Sequence, residues 1–168
     1  MKRKIVLSLM VFIILMPASQ SLSNENLDSA EKLFHAQEYK KAIGHLKKAT
    51  KEDPSNTRAW TLLGDCYRSL EKDKKAIKAY QKVIRINPSH KESLLALGIS
   101  YGRLDKHPEA IAVLKQLVEI DPSHAEAHYY LGVSYEAIRS IGLAFEEYKI
   151  LKTLDKKLAD KLYHIIFW

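Results

Sequence analysis

Apolar residues recur along the chain at the spacing of helices that bury one face. Trp60, Leu63 and Tyr67 stand at i, i+3 and i+7. A second stripe with helical spacing consists of Ala76, Tyr80 and Val83. Proline cannot continue a helix interior, and the residue before it avoids the helical region, so Pro88 and Pro122 mark helix ends. The pattern predicts pairs of antiparallel helices joined by short turns.

The pattern repeats every 34 residues along the chain. Four residue types recur in this register: Pro54, Pro88 and Pro122; Gly64, Gly98 and Gly132; Tyr67, Tyr101 and Tyr135; Leu63, Leu97 and Leu131. Alanine extends the series to four members, at positions 42, 76, 110 and 144. Glycine inside a helix costs about 1 kcal/mol relative to alanine. Its repetition favours close contact between helices over a simple kink, and such hairpins must stack to bury their apolar faces.

These residues resemble the tetratricopeptide repeat family, whose pattern is Trp, Leu-Gly, Tyr, Ala, an aromatic residue and Pro. The unit over residues 57–90 matches this pattern best. The units over 91–124 and 125–156 have Leu94 and His128 in place of the Trp. The unit over 23–56 matches the pattern less well. The resemblance covers about residues 23–156. It implies an all-α, right-handed solenoid of about four helix-turn-helix units.

A further apolar stripe lies after the fourth unit: Leu151, Leu154, Leu158, Leu162 and Ile165. We expect a helix over 157–168 that caps the last repeat. Lys156 replaces the expected proline, so the chain either continues as a longer helix or starts a separate one capped by Asp155. The apolar residues 165–168 either complete the cap or project outward to dock a partner.

Residues 1–23 have the pattern of a secretory signal peptide. Lys2, Arg3 and Lys4 precede the apolar run 5–16, and small residues come next. Cleavage after Ser21 or after Ser23 fits this order. The alternative is an uncleaved membrane anchor, although a helix over this run spans only about 18 Å of a hydrocarbon core of about 30 Å. We therefore expect a periplasmic or secreted mature protein that does not span a membrane.

Charge and side-chain chemistry favour a binding protein over an enzyme. The net charge is +7, and removing the three cations before the apolar run leaves 24 basic against 20 acidic residues, which does not indicate a nucleic-acid binder. No catalytic or phosphate-binding motif is present, so we predict no enzyme activity, no cofactor and no small-molecule substrate. His124 and His128 have metal-ligand spacing, but capping or surface roles are favoured over a metal site. Cys66, the only cysteine, is expected to be inert.

In the family, the first helix of each hairpin lines a concave groove that holds partner peptides. The resemblance places these residues in the groove: Thr61, Asp65, Arg68, Leu95, Ile99, Tyr129, Val133 and Glu136. Leu95, Ile99, Tyr129 and Val133 either form an apolar floor or pack between units and under the terminal helix. The resemblance implies a module that binds a protein or peptide partner in the cell envelope. The alternative is a structural subunit of an envelope secretion, pilus or assembly complex.

Overall fold

The computed structural model describes residues 25–168, which form helices joined by short turns and contain no strand. The first helix, α1, covers residues 25–35. The others are α2 (Tyr39–Glu52), α3 (Thr57–Ser69), α4 (Asp73–Ile86), α5 (Lys91–Gly102), α6 (His107–Ile120), α7 (Ala125–Ala137), α8 (Ile141–Leu154) and α9 (Lys156–Phe167). Helices α1 to α8 form four hairpins, here called repeats 1 to 4, and α9 comes after them. The predicted all-α repeat solenoid is confirmed. None of the helices within residues 25–168 has the length and apolar character needed to cross a bilayer.

The turn inside each hairpin depends on one residue in the left-handed region of backbone space. These residues are Gln37, Glu71, Asp105 and Arg139, with φ between 56° and 61°. They are spaced by the repeat period, and none is glycine. The amide that follows each of them bonds back to a carbonyl in the preceding helix, as in Lys72 N to Tyr67 O at 2.8 Å. This closes the end of the first helix and reverses the chain.

The turns between hairpins are built by the repeated proline segments. The Asp53 side chain accepts hydrogen bonds from both the amide and the hydroxyl of Ser55, and Asn87 and Asp121 do the same for Ser89 and Ser123. The next helix then begins with a side-chain cap. Caps are provided by Asn56, by His90 at 3.3 Å from Ser93 N, and by His124 at 3.4 Å from Ala127 N. The expected capping role of His124 is therefore observed.

The repeated glycines lie where another helix packs closely. A Cβ atom at Gly98 would lie 2.6 Å from Leu114 Cγ, and one at Gly64 would overlap the Tyr80 ring. A Cβ atom at Gly132 would overlap Leu162, which belongs to α9. The prediction that these glycines allow close helix contact is confirmed. At Gly132 the close neighbour is α9, and not the second helix of the same hairpin.

Helix α9 begins separately, because the Asp155 carboxylate accepts a hydrogen bond from Leu158 N at 3.1 Å. Its buried residues Ala159 and Leu162 pack with Leu151 of α8, and Ile166 lies against the same cluster. The predicted stripe is wrong at Leu154 and Ile165, which are each 38% exposed. The break at Asp155 resets the helical register, so positions 159, 162 and 166 form the inner face of α9.

Candidate partner-binding groove

A groove follows the inner face of the array, where first helices of successive hairpins lie side by side. Its larger part has a volume of about 640 Å³. It is lined by Thr61, Asp65, Arg68, Lys91, Glu92, Leu95, Ala96, Ile99, Asp121, His124, Glu126 and Tyr130. The remaining part, about 440 Å³, lies toward repeat 1 and is lined by Glu31, Phe34, His35, Thr57, Arg58, Thr61, Leu62, Asp65 and His90. The two parts share Thr61 and Asp65, so they form one continuous surface.

Five of the eight predicted groove residues line this surface: Thr61, Asp65, Arg68, Leu95 and Ile99. Helices α3 and α5 place them at successive turns, so a polar wall from α3 faces an apolar floor from α5. Thr61 Oγ1 donates to Thr57 O at 2.9 Å and lies 3.2 Å from Ser93 Oγ, which links the two helices.

The centre of the polar wall is an Asp65–Arg68 pair. Asp65 Oδ1 accepts a hydrogen bond from the hydroxyl of Tyr80 at 2.7 Å and lies 3.5 Å from Arg68 Nη2. Burial, and then the charge of Asp65, raises the pKa of Tyr80, so this phenol stays a donor. Arg68 Nε is buried without a hydrogen-bond partner within the described chain. The side chain as a whole is 38% exposed, so the other guanidinium nitrogens retain donor capacity for a ligand.

Tyr130 forms the opposite wall, although the sequence pattern did not predict it there. Burial, and then the charge of Glu126, raises the pKa of its hydroxyl, while Arg68 acts in the opposite direction. Tyr130 directly follows Tyr129, and the ring centroids are 5.2 Å apart. No sequence pattern says which of two adjacent tyrosines on a helix without a clear apolar stripe faces the groove.

Three predicted groove residues, Tyr129, Val133 and Glu136, do not line this surface. For Tyr129 and Val133 the structure shows the second predicted alternative, packing under the terminal helix. Tyr129 and Val133 pack against the cluster formed by Leu151, Ala159 and Leu162. Helix α9 therefore covers the face of α7 that carries Tyr129 and Val133, whereas Glu126 and Tyr130 of the same helix line the groove. Glu136 does not line the groove and lies 3.8 Å from Arg139 in an ion pair of its own helix end.

The charges along the groove are mostly paired across helices. Arg58 Nε lies 2.6 Å from Glu31 Oε1, and Lys91 Nζ lies 3.0 Å from Asp121 Oδ2, bridging two successive turns. Glu92 and Glu126 are exposed in the first turns of α5 and α7. Within the described residues Glu126 has no cationic partner and Glu92 approaches only the ring of His90, at 3.4 Å. The open rim of the groove is therefore acidic.

His128 has a structural environment. It is buried, its Nε2 lies 2.9 Å from the carbonyl of Pro122, and its Nδ1 lies 2.6 Å from the carboxylate of Glu147. Both neighbours are acceptors, which suits an imidazolium that donates from both nitrogens. The hydrogen bond to Glu147 is the main reason that the pKa of His128 is raised. Across residues 25–168, no three His, Cys, Asp or Glu side chains are grouped so as to hold a metal ion.

The fold and groove define a helical-hairpin repeat protein. The tetratricopeptide repeat model matches residues 57–90, and a second model of this repeat matches residues 104–138, which span the second helix of repeat 3 and the first helix of repeat 4. The chain is a tetratricopeptide repeat protein. Repeats of this family typically serve as interaction modules.

Known structures of similar shape support the same fold. A crystal structure of MamA protein is 22% identical with a TM-score of 0.79, covering 87% of this chain and 88% of its own. A tetratricopeptide repeat protein from Parabacteroides merdae is 20% identical with a TM-score of 0.80, covering 87% of this chain and 59% of its own. YrrB, a TPR protein with an unusual peptide-binding site, is 21% identical with a TM-score of 0.73, covering 83% and 75%. No curated protein matches the sequence.

Proposed function

We propose that this chain is an exported, non-catalytic module that binds a peptide segment of a protein partner along the groove, from repeat 1 to the first turns of repeat 4. The observation that carries the proposal is the composition of the groove. Leu95, Ala96 and Ile99 form an apolar floor beside the Asp65–Arg68 pair, and Tyr130 closes the far wall. A long surface with an apolar floor and polar walls suits an extended peptide better than a compact small molecule.

The groove also indicates the chemistry of the peptide. Apolar side chains of the partner would lie on the floor at Leu95 and Ile99. Its polar or basic side chains would lie along the rim at Glu92 and Glu126, whose charges are not neutralised by cations within the described chain. The Arg68 side chain is 38% exposed, so its guanidinium can donate to a peptide carbonyl in the groove. Similarity to YrrB, a TPR protein with an unusual peptide-binding site, supports peptide binding in general terms.

Export is supported by the sequence of residues 1–23, which lie outside the described ones. Their basic, apolar and small-residue segments come in the order of a secretory signal. The expected location is the periplasm or the extracellular medium. An intact-mass measurement of the exported protein should show this segment removed, and retention of Lys2 would contradict cleavage.

Affinity capture from the native cell envelope, followed by mass spectrometry, tests the groove. Replacing Leu95 and Ile99 with glutamine should abolish capture of the partner and preserve helix content by circular dichroism. The matched control is Ile120→Gln, because Ile120 is exposed on α6 and is not one of the residues that line the groove. Equal capture by the groove variant would contradict the proposal. Copurification of the groove variant in the same large complex as wild type would favour the structural-subunit alternative.

A further inference from the structure

Exposed apolar side chains are concentrated at one end of the array. Of the twelve large apolar residues that are exposed within 25–168, ten lie between Ile138 and Trp168. Four rings of α8 and α9 are in mutual contact, with Phe145 and Tyr148 at 5.4 Å, Tyr148 and Tyr163 at 5.5 Å, and Tyr163 and Phe167 at 4.8 Å between centroids. These four rings are called the aromatic face here, and Trp168, which directly follows Phe167 at the end of α9, is 95% exposed.

The aromatic face is the surface on which a further repeat would stack. Ile77, which is equivalent to Phe145 in repeat 2, is only 8% exposed because repeat 3 packs on it, whereas Phe145 is 37% exposed. Helix α9 fills part of this space by inserting Leu162 against Gly132. Phe145 remains exposed and Tyr148 is half-buried beside it, and Tyr163 and Phe167 extend these two rings into a two-helix surface.

Lysines accompany the rings. Lys149 Nζ lies 5.8 Å from the centre of the Phe145 ring, and Lys152 Nζ lies 5.8 Å from that of Tyr148. Lys152 is in the last turn of α8 and Lys156 begins α9, so both lie at the same end of this helix pair. Lys157 and Lys161 are exposed on the next turns of α9. Among nearby acids, Glu146 pairs with Lys149, Asp155 caps α9 and Asp160 is exposed on α9. Five lysines therefore stand against three carboxylates, which leaves an excess of two positive charges.

We propose that the aromatic face is a docking surface for an anionic lipid membrane. Rings with an apolar body and a polar edge are suited to the boundary between headgroups and acyl chains, and lysines beside them reach anionic headgroups. A protein partner would favour pockets for individual side chains, whereas these rings form one continuous layer. The inference rests on the proposed export only for bringing the chain to a membrane, and it does not involve the groove.

The two tryptophans of the chain make a direct test possible, because only Trp168 lies next to the aromatic face, directly after Phe167, whereas Trp60 is in α3. The full chain with Trp60→Phe is titrated with vesicles of equal parts phosphatidylglycerol and phosphatidylcholine. We expect Trp168 emission to move to shorter wavelength and to be quenched by lipids brominated in their acyl chains. Phosphatidylcholine alone should give a much weaker response. The matched variant Trp168→Phe, which reports from Trp60, should not shift.

Adding Lys152→Gln and Lys156→Gln to the reporter protein should raise the lipid concentration needed for the shift by about 30-fold, given the usual contribution of a lysine at an anionic surface. If Trp60→Phe reduces helix content, the difference between wild type and Trp168→Phe isolates the same signal. Unchanged Trp168 emission on phosphatidylglycerol vesicles overturns the proposal even if residues 5–16 carry the protein to the lipid. Polyglutamate, an anionic polymer without acyl chains, tests for an acidic polypeptide partner. A shift of Trp168 emission with polyglutamate but not with vesicles overturns the proposal. An equal shift of Trp168 emission on phosphatidylcholine alone also overturns it. In each of these cases the wild-type protein can still capture its partner through the groove, so the membrane proposal and the proposed function fail independently.

Discussion

The inner faces of repeats 3 and 4 have similar sequences and different accessibility. Leu95 and Ile99 of repeat 3 line the groove, whereas Tyr129 and Val133, one period later, pack under α9. The two hairpins share Leu-Gly, Tyr and Ala at matching positions. The difference lies in the next element along the chain, which is another hairpin after repeat 3 and a single helix after repeat 4. A residue's role in this array therefore depends on its neighbouring repeat as much as on its place in the motif.

The same contrast appears at the regularly spaced glycines. Gly98 accommodates Leu114, from the second helix of its own hairpin, but Gly132 accommodates Leu162 of α9. Tyr148, the repeat-4 counterpart of Leu114, instead contacts Phe145 and Tyr163 at the surface. Helix α9 thus closes repeat 4 on its inner side and leaves aromatic rings on its outer side.

The largest expected change in stability comes from weakening the packing of α9 on repeat 4. Leu162 is fully buried between α7, α8 and α9, so Leu162→Ala should lower the free energy of unfolding by about 2–5 kcal/mol. Ile165→Ala on the same helix is the control, and because its side chain is 38% exposed it should cost clearly less than Leu162→Ala. Urea denaturation followed by circular dichroism measures both. Equal effects of the two substitutions would mean that α9 does not dock through Leu162.

A smaller effect is expected inside repeat 3. Gly98→Leu should destabilise the protein by about 1–3 kcal/mol, because the new side chain must displace Leu114. Gly102→Ala is the control, since nothing lies within 4 Å of a Cβ atom there. The readout is the denaturant midpoint. An unchanged midpoint for Gly98→Leu would refute close packing of α5 on α6.

The smallest expected change in stability concerns a hydrogen bond at the start of repeats 2 and 4, made to the carbonyl of the proline that precedes each repeat. Trp60 Nε1 donates to Pro54 O at 3.0 Å, and His128 replaces this donor for Pro122 O at 2.9 Å. The raised pKa of His128 means that folding favours the imidazolium. Its contribution to stability is present below a pH of about 6.5 and is lost as the pH rises through the higher pKa of the folded state.

Glu147→Gln tests this contribution. The amide can still bond His128 but carries no charge, so the variant should be less stable than wild type by about 1 kcal/mol at pH 6. The gap should narrow as the pH rises toward 9. Denaturant midpoints across this range measure the gap, and a constant gap would show that His128 is neutral in the folded protein.

Most of the fold can be predicted from local sequence signals. The repeat period, the prolines and the apolar stripes predict the hairpins because each signal acts within one helix or turn. The left-handed turn residues Gln37, Glu71, Asp105 and Arg139 escape such reasoning, since none is glycine. There the hairpin packing imposes the conformation on residues with little preference for it.

The groove was only partly predictable for a different reason. Thr61, Asp65, Arg68, Leu95 and Ile99 follow from motif position, because the next repeat in the array is like the last one. Tyr129 and Val133 depend on where α9 packs, and Lys91–Asp121 depends on a contact between two separate turns. Such long-range contacts leave no periodic trace in the sequence.

The groove should admit the partner from repeat 1 as far as Tyr130, and α9 should exclude it from the face of α7 that carries Tyr129 and Val133. Single cysteines at Ile99→Cys and Val133→Cys, each carrying a thiol-linked benzophenone, test this claim in native envelope extract under ultraviolet light. Burial raises the pKa of the Cys66 thiol to about 12, so we expect the native cysteine not to react with the label. Repeating the experiment with Cys66→Ser in each protein checks this. We expect a covalent partner adduct from position 99 and little or none from position 133. An adduct from position 133 and none from position 99 would contradict the claim.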